Sequence, residues 1–236
     1  MHQRNERATS NLRMLELVAR KLGELNDEVV YLGGCTTALF INDPLSLDVR
    51  TTLDVDCIID VLSLGQYYKF EEKLKEKGFY RSMQDEITCR WHLDDIILDV
   101  MPTDEKILGW GNEWYKEAIK HAVDHQITED ITIKSVTAPY FLATKIEAFK
   151  SRGNYDFLGS HDFEDMITVI AGCIDIAEQV YTSSEDLKKH LRLVFNDFLK
   201  NDEFMQSLPG HLNDGPVTEQ RVQTVIKRIE QFAQKE

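Results

Sequence analysis

Few stretches restrict the fold of this 236-residue chain as tightly as Leu53-Asp54-Val55-Asp56-Cys57-Ile58-Ile59-Asp60. Apolar and acidic residues alternate here, and side chains alternate faces along a β-strand. A strand therefore gives Leu53, Val55, Cys57 and Ile59 one apolar, core-facing side. It gives Asp54, Asp56, Ile58 and Asp60 the other. A second apolar stretch, Ile96-Ile97-Leu98-Asp99-Val100-Met101, carries one acid. In strand conformation Ile96, Leu98 and Val100 share a face, and Ile97, Asp99 and Met101 share the opposite one. Were the two strands neighbours, Asp54, Asp56 and Asp99 would converge on a single surface.

The rest of the chain divides by periodicity. Residues 8–25 predict a helix, with Leu12, Leu15, Leu17, Val18 and Leu22 near helical spacing. Residues 28–32 predict a short strand ending at Gly33-Gly34, and 36–41 the opening of a helix that Asn42-Asp43-Pro44 stops. After the acidic strand, 67–77 reads as an amphipathic helix ended by Gly78. Residues 86–93 and 96–101 form the arms of a hairpin turning at Asp94-Asp95. A helix over 113–125, a strand over 131–136 and a helix over 138–152 follow. Helices over 161–181, 184–206 and 217–234 complete the pattern, with 207–216 the clearest loop. Strand signals stop at residue 136. This predicts an α+β fold: a small mixed β-sheet core with its N-terminal helix over 1–137, then a helical domain over 138–236.

Charge and cysteine usage narrow the function classes. The formal net charge is −14. That opposes broad, sequence-independent nucleic-acid binding, which needs many Lys and Arg contacts to phosphate. It leaves room for a nucleotide ligand, because a bound cation reverses the local field. Cys35, Cys57, Cys89 and Cys173 form no C-x-x-C motif and predict buried free thiols rather than a zinc site or disulfide framework. The polar start, Met1-His2-Gln3-Arg4-Asn5-Glu6-Arg7, lacks an apolar signal core, and no apolar run approaches the roughly 20 residues needed to span a bilayer. A cytoplasmic protein is expected.

Three convergent carboxylates repel one another unless cations neutralise them. Hard oxygen donors suit Mg²⁺, which combines a few carboxylates with substrate phosphates. Two such ions, about 3.5–4 Å apart, can serve phosphoryl chemistry. Upstream, Tyr31-Leu32-Gly33-Gly34-Cys35 suits a turn whose backbone approaches phosphate at a helix start, with Cys35, Thr36 and Thr37 beside it. Plainer explanations exist for each part. Two acids on a half-exposed strand can be its solvated face, and a glycine pair can be a tight turn. Asp99 in an otherwise apolar strand is harder to explain that way.

The order strand, Gly-Gly turn, acidic strand and later acid resembles the DNA polymerase β-like nucleotidyltransferase superfamily. More closely, Gly33-Gly34 and Arg50-Thr51-Thr52-Leu53-Asp54-Val55-Asp56 resemble the first motif of AbiEii-type nucleotidyltransferases, a family that includes toxins of toxin–antitoxin systems. The similarity covers residues 28–172 and takes in Leu98-Asp99-Val100-Met101-Pro102, a Lys helix and an Asp-x-x-Asp helix. It implies metal roles for Asp54, Asp56 and Asp99, with Asp99 helping to activate the acceptor hydroxyl. It implies that Gly33, Gly34 and Thr36 hold nucleotide phosphates and that Lys145 contacts the triphosphate. Asp162, in His161-Asp162-Phe163-Glu164-Asp165, matches the following Asp motif and is implied to be catalytic. Arg50 either contacts phosphate or pairs with a nearby acid. Read without the family, Lys145 can snorkel from an amphipathic helix, and Asp162 and Asp165 suit a helix N-terminus.

The expected activity is Mg²⁺-dependent transfer of NMP from an NTP, such as ATP, to an acceptor hydroxyl. RNA, notably a tRNA 3′ end, or a protein are the acceptors the resemblance implies, and a cognate antitoxin is an implied partner. Two other functions compete: a small-molecule nucleotidyltransferase of the aminoglycoside-modifying kind, and a non-catalytic protein-binding module on the same fold. Remaining candidates are weaker. His121 and His125 at i,i+4 lack the Glu of a zinc helix. Trp110 and Trp114 suit core or lid packing better than base stacking. Arg81, Arg90 and His92 could line a groove that sequence does not locate.

Overall fold

Strand β2 (Asp54–Ile59) occupies the interior of one six-stranded mixed sheet. The sheet's other strands are β1 (Val29–Leu32), β3 (Arg90–Leu93), β4 (Ile96–Pro102), β5 (Val123–Gln126) and β6 (Thr132–Ser135). Their order is β3-β4-β2-β1-β6-β5. β2 pairs antiparallel with β1 and parallel with β4. β1 also pairs parallel with β6, and β3 and β5 close the edges as antiparallel partners of β4 and β6. The computed structural model describes residues 6–233 except 45, 47 and 62. The polar residues at positions 1–5 and the expected helical residue 234 lie outside that set.

The chain separates into two units. The first comprises Met1–Leu39 and Arg50–Thr137, and the second Phe40–Val49 and Ala138–Glu236. In the first, helix α1 (Glu6–Leu22) buries Leu15, Val18, Ala19 and Leu22, an i, i+3, i+4, i+7 stripe that forms one apolar face. Helix α2 (Leu64–Glu76) starts where the Ser63 hydroxyl accepts from the Gln66 amide and buries Tyr67, Phe70 and Leu74. These side chains share one core with Val29, Tyr31, Val55, Cys57, Ile59, Trp91, Leu98 and Val100. The Tyr67 hydroxyl enters this core satisfied, donating to the Val100 carbonyl at 3.0 Å. Two short helices, α3 (Glu105–Leu108) and α4 (Tyr115–Lys120), complete the unit.

The second unit is helical: α5 (Ala138–Ser151), α6 (His161–Gly172), α7 (Ile176–Thr182), α8 (Glu185–Leu199), α9 (Asp202–His211) and α10 (Thr218–Ala233). Its centre is an aromatic cluster. Phe149, Phe157, Phe163, Phe198 and Phe204 meet at ring-centroid distances of 5.0–6.0 Å, mostly edge to face, the arrangement ring quadrupoles favour. The 40–49 segment belongs here because Phe40 packs on Phe141 and the Asn42 and Asp43 amides donate to the Gly172 carbonyl.

Several boundaries differ from those the periodicity predicts. The expected 161–181 helix breaks into α6 and α7 at Gly172, where a Cβ would sit 2.4 Å from Ile41 Cδ1. The 184–206 helix breaks into α8 and α9 at Asn201, whose side chain caps the Glu203 and Phe204 amides. Helix α9 runs on through Pro209 into the predicted loop, since Phe204 and Leu208 are buried there. The 113–125 helix is mostly not one. α4 ends at Lys120, and the next residues pair with β6 as β5, so His121 and His125 share no helical face. The first hairpin arm shortens to Arg90–Leu93.

All four cysteines are buried and free. Burial pushes the Cys89 and Cys173 thiols up to about 12 and raises Cys35 and Cys57 as well. Among the described residues, no helix is long and apolar enough to cross a membrane.

Candidate functional site

The register of three strands decides what faces what. Asp56 on β2 lies directly beside Asp99 on β4, with Asp54 beside Ile97. Across β4, Arg90 on β3 lies opposite Asp99. Because Val55, Cys57, Leu98, Val100 and Trp91 occupy the core face, alternation puts Asp54, Asp56, Asp99 and Arg90 together on the other. The first unit thus holds three acids and one guanidinium on one patch of the sheet.

Arg90 binds Asp99 in a two-pronged contact: Nε donates to Oδ1 at 2.9 Å and Nη2 to Oδ2 at 2.7 Å. The same Nη2 reaches Asp54 Oδ2 at 3.3 Å. Asp99 is buried, and the Arg90 side chain is only 20% exposed. Charge-assisted pairs of this fork geometry are among the strongest hydrogen bonds a protein makes. The hydrogen bonds to Asp99 raise the guanidinium pKa above its already high ordinary value, so Arg90 is a permanent cation. By sequence alone Arg90 is only a groove candidate. The signal available was its placement one residue before core-facing Trp91; the pairing register supplied the rest.

Asp54 is further held by Thr52, whose hydroxyl donates to Oδ1 at 2.7 Å. The loop carrying Thr52 is fastened in turn by buried Asn11. Its side-chain amide donates to the Arg50 carbonyl at 3.0 Å, and its side-chain oxygen accepts from the Thr52 amide at 3.4 Å. Asn11 lies on α1, so this polar side chain in an apolar stripe ties the first helix to the acidic strand. Arg50 itself is half-buried and reaches the Thr51 carbonyl.

Gly33 explains the glycine turn. Its φ is +77°, a left-handed backbone that side chains disfavour. A Cβ there would fall 1.9 Å from Asp56 Oδ2. The Asp56 carboxylate therefore lies against the turn, and glycine is needed for both conformation and space. Thr36 is fully buried and serves the turn internally: its hydroxyl and its amide both donate to the Gly33 carbonyl, at 2.8 and 3.1 Å. Gly34 is buried at the start of a 3-10 turn, Gly34–Phe40.

Lys145 and Asp162 belong to a separate constellation in the second unit. The Lys145 ammonium is buried and donates to Asp162 Oδ1 at 2.9 Å and Asp165 Oδ2 at 2.7 Å. The i,i+3 spacing on α6 presents both acids to it. Arg152 closes the network with two 2.8 Å bonds to Asp162. Burial opposes the charged lysine, but the two carboxylates outweigh it and raise its pKa. Burial likewise opposes ionised Asp162, and the bonds from Arg152 and Lys145 outweigh that, holding its pKa well below the carboxylate range. Two cations and two anions satisfy one another in this network.

The other candidates scatter. Arg81 bonds Glu71 and stacks over Trp91 at 4.9 Å, and His92 pairs with Asp85 at 2.6 Å. Trp110 is exposed, and Trp114 is half-buried with its amide on Asn112.

The donor chemistry fits a divalent ion in part. Asp54 and Asp56 offer hard oxygens on one face beside the glycine turn, with Asp54 oriented by Thr52. Asp99 already receives Arg90 on both oxygens. No protein-family model matches the chain, and neither does any curated protein.

Two substitutions follow. Gly33→Ala should force Asp56 aside and strain the turn, costing on the order of 1 kcal/mol or more and lowering the thermal midpoint, read by differential scanning calorimetry. Lys145→Met should remove the buried ammonium that both Asp162 and Asp165 accept from and cost about 3–5 kcal/mol of stability at pH 7, read from urea unfolding. The sign with pH is set by the acids: in the native protein Asp162 contributes stability above the carboxylate range, lost as pH falls through its depressed folded value. The penalty of Lys145→Met should therefore shrink as pH falls below the ordinary carboxylate range, where the native network loses the charge the lysine pairs with.

Proposed function

We propose that the first unit is a divalent-cation-dependent nucleotidyltransferase that moves NMP from an NTP to an acceptor hydroxyl. The observation that carries this reading is the direct lateral pairing of Asp56 with Asp99, with Asp54 two residues away and the Asp56 carboxylate against the left-handed Gly33 turn. An uncovered array of acids beside a backbone turn repels a triphosphate; with a cation between them it attracts one. The motif resemblance through Gly33-Gly34 and Arg50–Asp56 supports the same assignment, and so does the six-stranded mixed sheet that places the acids on interior strands.

In this reading Asp54 and Asp56 hold Mg²⁺, and the bound ion supplies charge neutralisation at the phosphates. The turn at Gly33-Gly34 brings backbone close to the triphosphate. The acceptor oxygen attacks the α-phosphorus, the bond from α-phosphorus to the bridging oxygen of the β-phosphate breaks, and pyrophosphate leaves with that bond's electrons. The acceptor proton passes to the Asp99 carboxylate, which Arg90 holds in a fixed plane. Thr52 orients Asp54, and Asn11 orients the Thr52 loop. Thr36 supports the turn from within. Lys145, Asp162 and Arg152 hold the helical unit together through their mutual bonds. RNA 3′ ends are the acceptor first in order, with protein hydroxyls next and aminoglycoside-like small molecules third. The net charge of −14 suits a small acceptor footprint.

Incubating the protein with Mg²⁺, each α-labelled NTP in turn, and total tRNA, cell protein or an aminoglycoside panel tests this. Label should appear on one acceptor class with matching pyrophosphate release. The Asp54→Asn, Asp56→Asn double variant should remain folded and lose about 10³-fold or more in rate. The idea fails if no NTP binds and no acceptor of any class is labelled.

A further inference from the structure

Resting on the nucleotidyltransferase reading, we propose that Arg90 is a built-in counter-ion that takes the place of a second metal, so that the site binds one divalent ion per chain rather than two. A second ion bridging Asp54 and Asp99 would need the space between their carboxylates. Arg90 Nη2 stands there, 2.7 Å from Asp99 Oδ2 and 3.3 Å from Asp54 Oδ2. These are hydrogen-bond contacts, so guanidinium and ion cannot share the place.

Rigidity excludes easy displacement. The Arg90 backbone is fixed in register opposite Asp99 by the β3–β4 ladder, and its side chain is mostly buried with Nε and Nη2 both engaged by Asp99. A planar fork loses little by being held there, since its donors are already arranged for a carboxylate. A lysine in the same position would offer only a point charge.

The geometry also divides the work: Asp56 lies against the glycine turn and, with Asp54, serves the ion, while Asp99 lies opposite Arg90 on β3 and serves the proton.

Mn²⁺ binding without nucleotide tests this, counted from the free-ion electron paramagnetic resonance signal at fixed ionic strength. The Asp54→Asn, Asp56→Asn variant sets the background of weak sites on an acidic protein. Wild type should bind one Mn²⁺ above that background, Arg90→Lys should also bind one, and Arg90→Gln should bind two. Two ions in wild type, or one in a folded Arg90→Gln, overturn the inference. Should Arg90→Gln not fold, the wild-type count alone decides: one supports the counter-ion and two overturns it. A wild-type count of two together with NTP transfer leaves the nucleotidyltransferase reading intact. A count of zero with no transfer removes that reading and the inference together.

Discussion

Like-charge repulsion is the constraint around which the first unit is arranged. Parallel pairing of β2 and β4 sets Asp56 beside Asp99, and the alternation that buries Val55 and Cys57 leaves Asp54 on the same patch. Left alone, such an arrangement would push the two strands apart where they must stay in register. The chain answers with Arg90 from the edge strand β3, which binds Asp99 with two donors and reaches Asp54. Edge strand, interior strands and acids are thereby coupled. The same contact that lets the sheet form also sets how much positive charge a ligand can add.

The second unit solves a related problem by a closed circuit. Lys145, Arg152, Asp162 and Asp165 are mutually satisfied inside a helical, aromatic core. A buried network of this kind is costly to open, because removing any one member strands the others in a poor solvent for charge. The contrast between the units is instructive. In the second, two cations bracket two acids; in the first, a single guanidinium bridges Asp99 and Asp54 on the face of a sheet.

Much of this was legible in the residues, and the reasons for what was not are specific. The two-residue period of 53–60 and 96–101 showed which side of each strand was acidic, because burial of the alternate residues enforces it. A mixed α+β arrangement followed from strand signals ending at residue 136. What periodicity could not supply was lateral register and long-range bonding: Arg90 enters through a partner 9 residues away, and Asn11 through a bond to the Thr52 amide 41 residues away. Thr52 lies within the Arg50–Asp56 motif, though its bond to Asp54 is not readable there, and Asn11 is an ordinary polar residue until its partners are known. Lys145 and Asp162 resemble family motifs, and periodicity does not show that they bond each other across α5 and α6. The 113–125 segment misled for another reason. Its helical spacing was real over one turn, and pairing with β6 then claimed the remainder.

The buried thiols give the molecule an internal clock. Cys35, Cys57 and Cys89 belong to the sheet-bearing unit and Cys173 to the helical one. A thiol reacts as its thiolate, and burial holds each of these in the protonated form. Alkylation must therefore wait for each sulfur's surroundings to open. With three sulfurs timing one unit and a single sulfur timing the other, the order of labelling by a dilute reagent becomes a direct record of which half of the chain breathes first.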